Sequence, residues 1–270
     1  MFSKTKLRVP FAGFLRVAGL LAVLAAAACA TPPPASDPEA LAEFRELNDP
    51  LEPANRVIYV FDDKLDEFIL RPVAIAYGAV LPEAVRDGVH NALFNLGAPV
   101  RFTNDMLDGK PRRAGDTAMR FLINSTVGIA GLFDVAEKCG YPDHDADVGL
   151  TLALWGVPPG PYLYLPLLGP SDVRDTVGYA INVGADPFIW VGQGSAVVAL
   201  RWSRVAVREI DWRQRHGADL DKTKSTALDP YATFRSLYRQ FRRSELDKIR
   251  QDQRATVPVW FAQPAAGTSR

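Results

Sequence analysis

From Val148 to Ser171 the chain runs 24 residues without a charge, VGLTLALWGVPPGPYLYLPLLGPS. A helix needs about 20 apolar residues to span a bilayer, so length alone would permit a crossing. Pro158, Pro159, Pro161, Pro166 and Pro170, with Gly160 among them, forbid it. An interior proline costs a helix about 3 kcal/mol. The segment is therefore expected to fold as two short apolar arms joined at Pro158–Pro161. Two settings suit that hairpin: the core of a globular protein, or a re-entrant or interfacial position at a membrane. Phe121–Phe133 and Pro187–Leu200 are also uncharged, over 13 and 14 residues.

The N-terminus weighs toward a membrane. Lys4, Lys6, Arg8 and Arg16 precede the uncharged run Val17–Ala30. A basic start, an apolar core of 14 residues and small residues after it form a secretory signal peptide. Ala26-Ala27-Ala28-Cys29 then resembles a bacterial lipoprotein box, with Cys29 the lipidation site. Ala26 stands where that pattern prefers Leu, so ordinary cleavage at the Ala-x-Ala is the competing reading. Ala30, rather than Asp, after the cysteine points to the outer membrane. Two or more acyl chains anchor stably where one does not. Thr31–Pro38 has the composition of an extended tether. Losing the leader takes Lys+Arg from 31 to 27 against 31 Asp+Glu, so a formally neutral chain matures to about −4. Such a balance excludes a protein held to nucleic acid by phosphate charge. Cys139 is left without an intrachain partner and is expected to be a buried or semi-buried thiol.

The rest reads mainly as helices. Val57, Ile58, Phe61, Leu65, Phe68 and Ile69 fall at helical spacing within Ala54–Leu70, and Pro72 should break or kink that helix. Leu81-Pro82 opens a helix with an apolar stripe of Val85, Val89, Ala92, Leu93 and Leu96, which Gly97 ends. Ala114, Ala118, Phe121, Leu122 and Ser125 mark another face after Gly109-Lys110-Pro111. Asp229-Pro230 caps a C-terminal helix whose apolar stripe is Phe234, Leu237, Tyr238 and Phe241. No run alternates with period two, so little sheet is expected. Phe188–Arg215 passes from apolar to basic and suits an in-plane helix at a membrane surface, with Arg201, Arg204 and Arg208 near lipid phosphates. A plain solvated face is the alternative. The five tryptophans, Trp155, Trp190, Trp202, Trp212 and Trp260, fit a membrane interface but suit a soluble protein too.

Catalytic signatures are missing. Gly192-Gln193-Gly194-Ser195-Ala196 has the wrong order for a nucleophile elbow, and no P-loop or dinucleotide fingerprint occurs. Asp143, Asp145 and Asp147 echo a calcium loop. The sixth position is Val148 and the twelfth Leu154, so the EF-hand pattern fails. A looser cation site remains open beside a polar loop in which Asp147 caps a helix. Asp116 and Arg120 are spaced for a surface ion pair. Asn104-Asp105 and Asn124-Ser125-Thr126 are polar groups in apolar context, expected as satisfied hydrogen-bonding groups or as the lining of a wet cavity. No catalytic residues, cofactor or metal are expected.

Several segments together resemble the MlaA (VacJ) lipoprotein family. They are Asn48–Arg56 (NDPLEPANR), Arg71–Ala74 (RPVA), Asn95–Pro99 (NLGAP), Arg120–Gly128 (RFLINSTVG) and Gly131–Ala136 (GLFDVA). Gly156–Tyr162 (GVPPGPY), Leu165–Ser171 (LPLLGPS), Arg174-Asp175 and Asp229–Tyr231 complete the set. The resemblance implies an all-α, ring-like protein seated in the inner leaflet of the outer membrane. It implies removal of mislocalised phospholipid from the outer leaflet through a central amphipathic channel, delivery to the periplasmic phospholipid carrier of the Mla pathway, and association with a trimeric porin. A diacyl lipid needs both apolar wall and polar mouth. The hairpin offers the wall through Leu150, Leu152, Leu154, Trp155, Leu163 and Leu165. Gly156, Pro158, Pro159, Gly160 and Pro161 punctuate it as a gating segment would require. Headgroup contact falls to Arg201, Arg204 and Arg208. The expected division is a signal peptide over 1–28, lipidated Cys29 and tether over 29–47, one helical domain over 48–252 and a loose tail over 253–270. The alternative is a porin-associated structural lipoprotein without its own channel.

Overall fold

A computed structural model describes residues 33–34, 36–187 and 195–251. The signal peptide, Cys29, the tail 253–270, and Phe188–Gly194 with Trp190 lie outside the described residues. The expected all-helical fold is present, with one small hairpin added.

Helix α1, Pro38–Leu47, starts on the Asp37 side chain, which accepts from the Ala40 amide. Helix α2, Glu52–Leu65, continues without interruption through a π-turn, Asp66–Leu70, into α3, Arg71–Val80. The break expected at Pro72 does not occur. The Arg71 amide instead bonds back five residues to the Asp66 carbonyl. That widened turn makes room for a ring that would otherwise press on the carbonyl four residues earlier. Helix α4, Glu83–Leu96, starts after Pro82 and stops at Gly97; α5, Ala98–Leu107, follows directly. Helix α6 is Pro111–Thr126 and the single turn α7 is Val135–Lys138.

The uncharged segment becomes a short helix and a sheet. Asp147 caps α8, Val148–Leu154. The second arm is β1, Tyr162–Leu165, paired antiparallel with β2, Gly169–Asp172, with Tyr162 opposite Asp172. Asp172 caps α9, Val173–Ala185. Helix α10 spans Ser195–Thr226, and Asp229 caps α11, Pro230–Arg250, as the Asp-Pro pair predicts. Helix α5 packs on α6, α8 on α9, α3 on α10, and α11 on both α8 and β2.

Polarity is inverted relative to a water-soluble protein. Asp49, Asn55, Asn104, Asp105, Arg113, Asp116, Arg120, Asp211, Arg213 and Arg235 are all buried. Phe61, Phe68, Ile69, Ile75, Leu122, Leu200 and Trp202 lie more than half exposed. On α2 and the π-turn after it, Val57, Phe61, Phe68 and Ile69 of the predicted stripe therefore face outward, while Ile58 turns to the core. On α11, Leu237 and Phe241 are exposed, while Tyr231, Arg235, Glu245 and Ile249 turn inward. The apolar core proper is small: Tyr162, Tyr164 and Tyr231, with Ile58, Tyr59 and Tyr238 against them. Among the described residues no helix is long and apolar enough to cross a membrane.

Candidate functional site

The site is best built outward from the tyrosine cluster, because its polar partners fix the hairpin. Asp49 is 3% exposed and accepts from Tyr231 Oη, from Arg235 Nη1 at 2.6 Å and from Asn55 Nδ2 at 2.8 Å. Asn55 also donates to the Tyr162 carbonyl and accepts from the Tyr164 amide. Its one side chain thus pairs with the carbonyl and the amide that flank Leu163, as a neighbouring strand would. Asn48 donates to the Gly160 carbonyl. Arg56 bridges Asp229 and Glu52. The segment Asn48–Arg56 is therefore the clasp that holds β1 against α11. Burial raises the Tyr162, Tyr164 and Tyr231 hydroxyls well above a phenol's ordinary range, so they stay protonated.

A second clasp holds α8. Arg242 on α11 pairs with Asp147 at 2.7 Å and with Asp175 at 2.6 Å, and Tyr238 donates to Asp175. Arg174 joins Asp175 at 2.9 Å. Burial pushes the Asp175 carboxyl up, but the Arg242 charge and the Tyr238 and Arg174 hydrogen bonds outweigh it and hold the group below its usual range. Beneath this clasp Gly178 of α9 meets Gly149 of α8. A Cβ at Gly178 would press on the Gly149 amide nitrogen and sit 2.8 Å from its Cα. Only two glycines permit that crossing.

Between the clasps the α8–β1 connection is exposed from Trp155 to Pro159. Gly156 and Gly160 take φ of 88° and 72°, the left-handed region where glycine has no steric penalty. Trp155 is 60% exposed, yet its indole nitrogen donates to the Leu107 carbonyl and ties the loop to α5. Of the predicted wall residues, Leu150 is fully buried, while Leu152, Leu154, Leu163 and Leu165 are half-buried. Pro158, Pro159 and Pro161 lie on the exposed connection. At the hairpin tip, Asp62 accepts from the Leu167 amide.

The basic residues divide. Arg204 pairs with Asp186 at 2.8 Å and Arg208 with its neighbour Glu209 at 3.2 Å. Arg201 stands half-buried on α10 one turn before Arg204. Two more arginines of the same run meet carboxylates, buried Arg213 and exposed Arg215. Arg213 binds Asp66 and Asp221, and Arg215 binds Asp211 and Asp87. Exposed Val198, Leu200, Trp202 and Val205 on α10 sit among Arg201, Arg204 and Arg208, giving an apolar surface with a basic border.

Two further expectations change, and the expected Asp147 cap holds. Asp116 and Arg120 are both buried, and Arg120 pairs with Asp134 at 2.6 Å while donating to the Tyr141 carbonyl. Cys139 is exposed, because it caps the single turn α7 instead of packing beneath it. Asp147 serves as the α8 cap, and His144 turns to Asp105 at 2.9 Å. The tyrosine cluster and the Asp49–Arg235 pair escape sequence reading, although the charged stripe on α11 carried the signal.

Comparison with known proteins agrees with this arrangement. The family model described as MlaA lipoprotein matches residues 47–245. An uncharacterised protein of Rickettsia conorii is 34% identical over 202 residues, covering 74% of this chain and 79% of its own. The intermembrane phospholipid transport system lipoprotein MlaA of Haemophilus influenzae is 31% identical over 203 residues, covering 73% and 79%. A chain solved in work on the structural basis for maintenance of bacterial outer membrane lipid asymmetry superposes with a TM-score of 0.64 at 30% identity, covering 73% of this chain and 98% of that one. The chain belongs to the MlaA lipoprotein family.

Proposed function

We propose that this protein is an outer-membrane lipoprotein, anchored through Cys29, that takes mislocalised phospholipid from the outer leaflet. It passes the lipid through an amphipathic channel to a periplasmic carrier and so maintains lipid asymmetry. The observation that carries the reading is the inversion of polarity. Apolar side chains on α2, α3, α6 and α10 face outward while arginine, aspartate and asparagine fill the interior. Hydrocarbon outside and polar groups inside suit a protein lying in one leaflet, with a path for charged headgroups within it. The Haemophilus relative, a phospholipid transport lipoprotein, fits the same role.

In this reading Leu152, Leu154, Trp155, Leu163 and Leu165 offer acyl chains a wall, and Leu150 seats that wall in the core. The Gly156–Pro161 connection, clasped at both ends but exposed between, is the segment with freedom to gate. Arg201, Arg204 and Arg208 border the apolar surface at headgroup height. A trimeric porin would take up part of the remaining apolar exterior.

The test is outer-leaflet phospholipid in a deletion strain complemented with wild-type protein, Cys29→Ser or Trp155→Asp. The wild type should restore asymmetry. Cys29→Ser should lose acyl labelling and fail, and Trp155→Asp should fold but transport poorly. Unchanged outer-leaflet phospholipid in the deletion strain would remove the transport role.

A further inference from the structure

Most arginines that turn inward meet carboxylates. Arg213 has Asp66 and Asp221, Arg235 has Asp49 and Glu52, and Arg242 has Asp147 and Asp175. Arg101 on α5 differs from these three. Its guanidinium lies 3.5 Å from the Phe94 ring centroid and donates to the Phe94 carbonyl, with no carboxylate within salt-bridge reach among the described residues. Burial pushes it down to about 10 despite the fields of Asp145 and Asp105. A cation desolvated without a counter-charge is costly.

Arg101 lines a cleft between α4, α5 and α6, together with Phe94, Asn95, Thr117, Arg120 and His144. The free space is about 10 Å³, close to what one water-sized group occupies. Arg120, 6% exposed, also lines it, and its Nε is buried without a hydrogen-bond partner. The nearby carboxylates are engaged. Asp105 accepts from Thr117 and His144, with Arg113 at 3.6 Å, and Asp134 accepts from Arg120 and Asn124. Asp105 and Asp134 are thus already shared among Arg113, Arg120, Thr117, Asn124 and His144, while Asp145 acts on Arg101 from farther away.

We propose that this cleft is an anion site, in which Arg101 and the Arg120 Nε donate to one anionic oxygen of a phosphate group. The group is either a lipid phosphodiester or free inorganic phosphate. Planar guanidinium donors suit phosphate oxygens, and a dry wall strengthens each bond. The site stands on its own geometry; only the lipid arm rests on the transport role proposed above.

The experiment uses full-length protein in an uncharged detergent at fixed ionic strength. Phenylglyoxal modification of each arginine is followed by peptide mass spectrometry, with inorganic phosphate or glycerophosphoglycerol added. Both probes should slow modification of Arg101 severalfold and leave exposed Arg243 unchanged. Glycerophosphoglycerol protecting at lower concentration than phosphate assigns the site to headgroups; the reverse order assigns it to the free ion. By calorimetry Arg101→Met should bind the better probe at least tenfold more weakly, with Arg101→Lys between. The protection assay needs only wild type, so a variant that misfolds leaves the test intact. Equal modification of Arg101 with and without both probes overturns the site. Intact protection in a protein that fails to restore lipid asymmetry would count against the transport role instead.

Discussion

Helices α6 and α8 lie in one molecule and follow opposite rules. Helix α8 is conventional: Leu150 and Ala153 are buried and its apolar side meets the protein. Helix α6 buries Arg113, Asp116, Thr117, Arg120 and Asn124 along one stripe and exposes Leu122 by 56%. Helix α6 is amphipathic in sequence, and α8 is apolar almost throughout. The difference lies in what touches the apolar side, protein for α8 and the exterior for α6. Burial of an apolar residue requires only escape from water, and lipid provides that as well as a core does. The polar stripe of α6 then needs internal partners, and Asp105, Asp134 and Tyr141 supply them.

The largest effect should come from opening that polar stripe. Arg120→Ala leaves Asp134 without its guanidinium in a part-buried setting, and breaking such a pair costs about 3–5 kcal/mol. Denaturant unfolding in micelles measures it, and a loss under 1 kcal/mol would mean that the α6 interior is solvated and the inversion is not real. Next comes the conventional helix. Gly178→Ala drives a methyl into the backbone of Gly149, which a flexible side chain cannot relieve. Overpacking of this kind costs about 1–3 kcal/mol. The same unfolding assay should show it together with altered lipid handling, since α8 carries Leu152 and Leu154 of the proposed wall. A fully stable variant would show that α8 and α9 slide apart freely.

An exterior substitution sharpens the contrast from the other side. Leu122→Ser removes an apolar side chain that touches little protein. Micelle stability should change by less than about 0.5 kcal/mol, while partition into vesicles weakens by about 1–2 kcal/mol, as loss of a half-buried Leu would predict. Vesicle flotation separates the two effects. If the variant unfolds in micelles but binds vesicles normally, Leu122 packs against protein and the exterior face is misassigned.

These two helices also explain what the sequence disclosed. Helix boundaries were legible because caps are local: Asp147, Asp229-Pro230 and Gly97 act through backbone groups within a few residues. Which way a helix faces was not legible. A 3.6-residue period locates an apolar side but does not say whether protein or the exterior covers it, so the stripes on α2 and α11 fix the spacing and leave open that Phe61 and Phe241 face out while Ile58 and Tyr238 face in. The strand β1 was hidden for another reason. Along Tyr162-Leu163-Tyr164-Leu165 the buried tyrosines alternate with half-buried leucines, and every residue is apolar, so no polar alternation marks a strand. The clasp residues Asp49, Asn55 and Arg235 lie 6 to 186 positions apart in sequence and meet only through the fold.

Acid gives the gentlest contrast, because one carboxylate beside each helix, Asp134 and Asp172, shifts in the opposite direction from the other. Burial raises the Asp134 carboxyl near α6, but Asn124 and Arg120 outweigh it and hold the group below its usual range. Burial keeps Asp172, which caps the helix packed on α8, above its usual range despite the Asp175 amide. A carboxyl with a lowered folded pKa gives stability that is complete above its unfolded value, near 3.9, and is lost as pH falls through the folded value. A raised carboxyl does the reverse: the folded state takes up its proton first, so stability gains slightly as pH falls toward 3.9. The thermal midpoint in micelles should therefore hold or rise a little between pH 5 and 4 and drop only below 4. In Asp172→Asn the small rise should shrink, with Asp62, Asp108 and Asp145, also raised by burial, supplying the remainder; in Asp134→Asn the drop should become shallower. A midpoint that falls steadily from pH 5 in both variants and wild type would mean that neither carboxyl feels its burial, and the distinction between the two helices would then rest on packing alone.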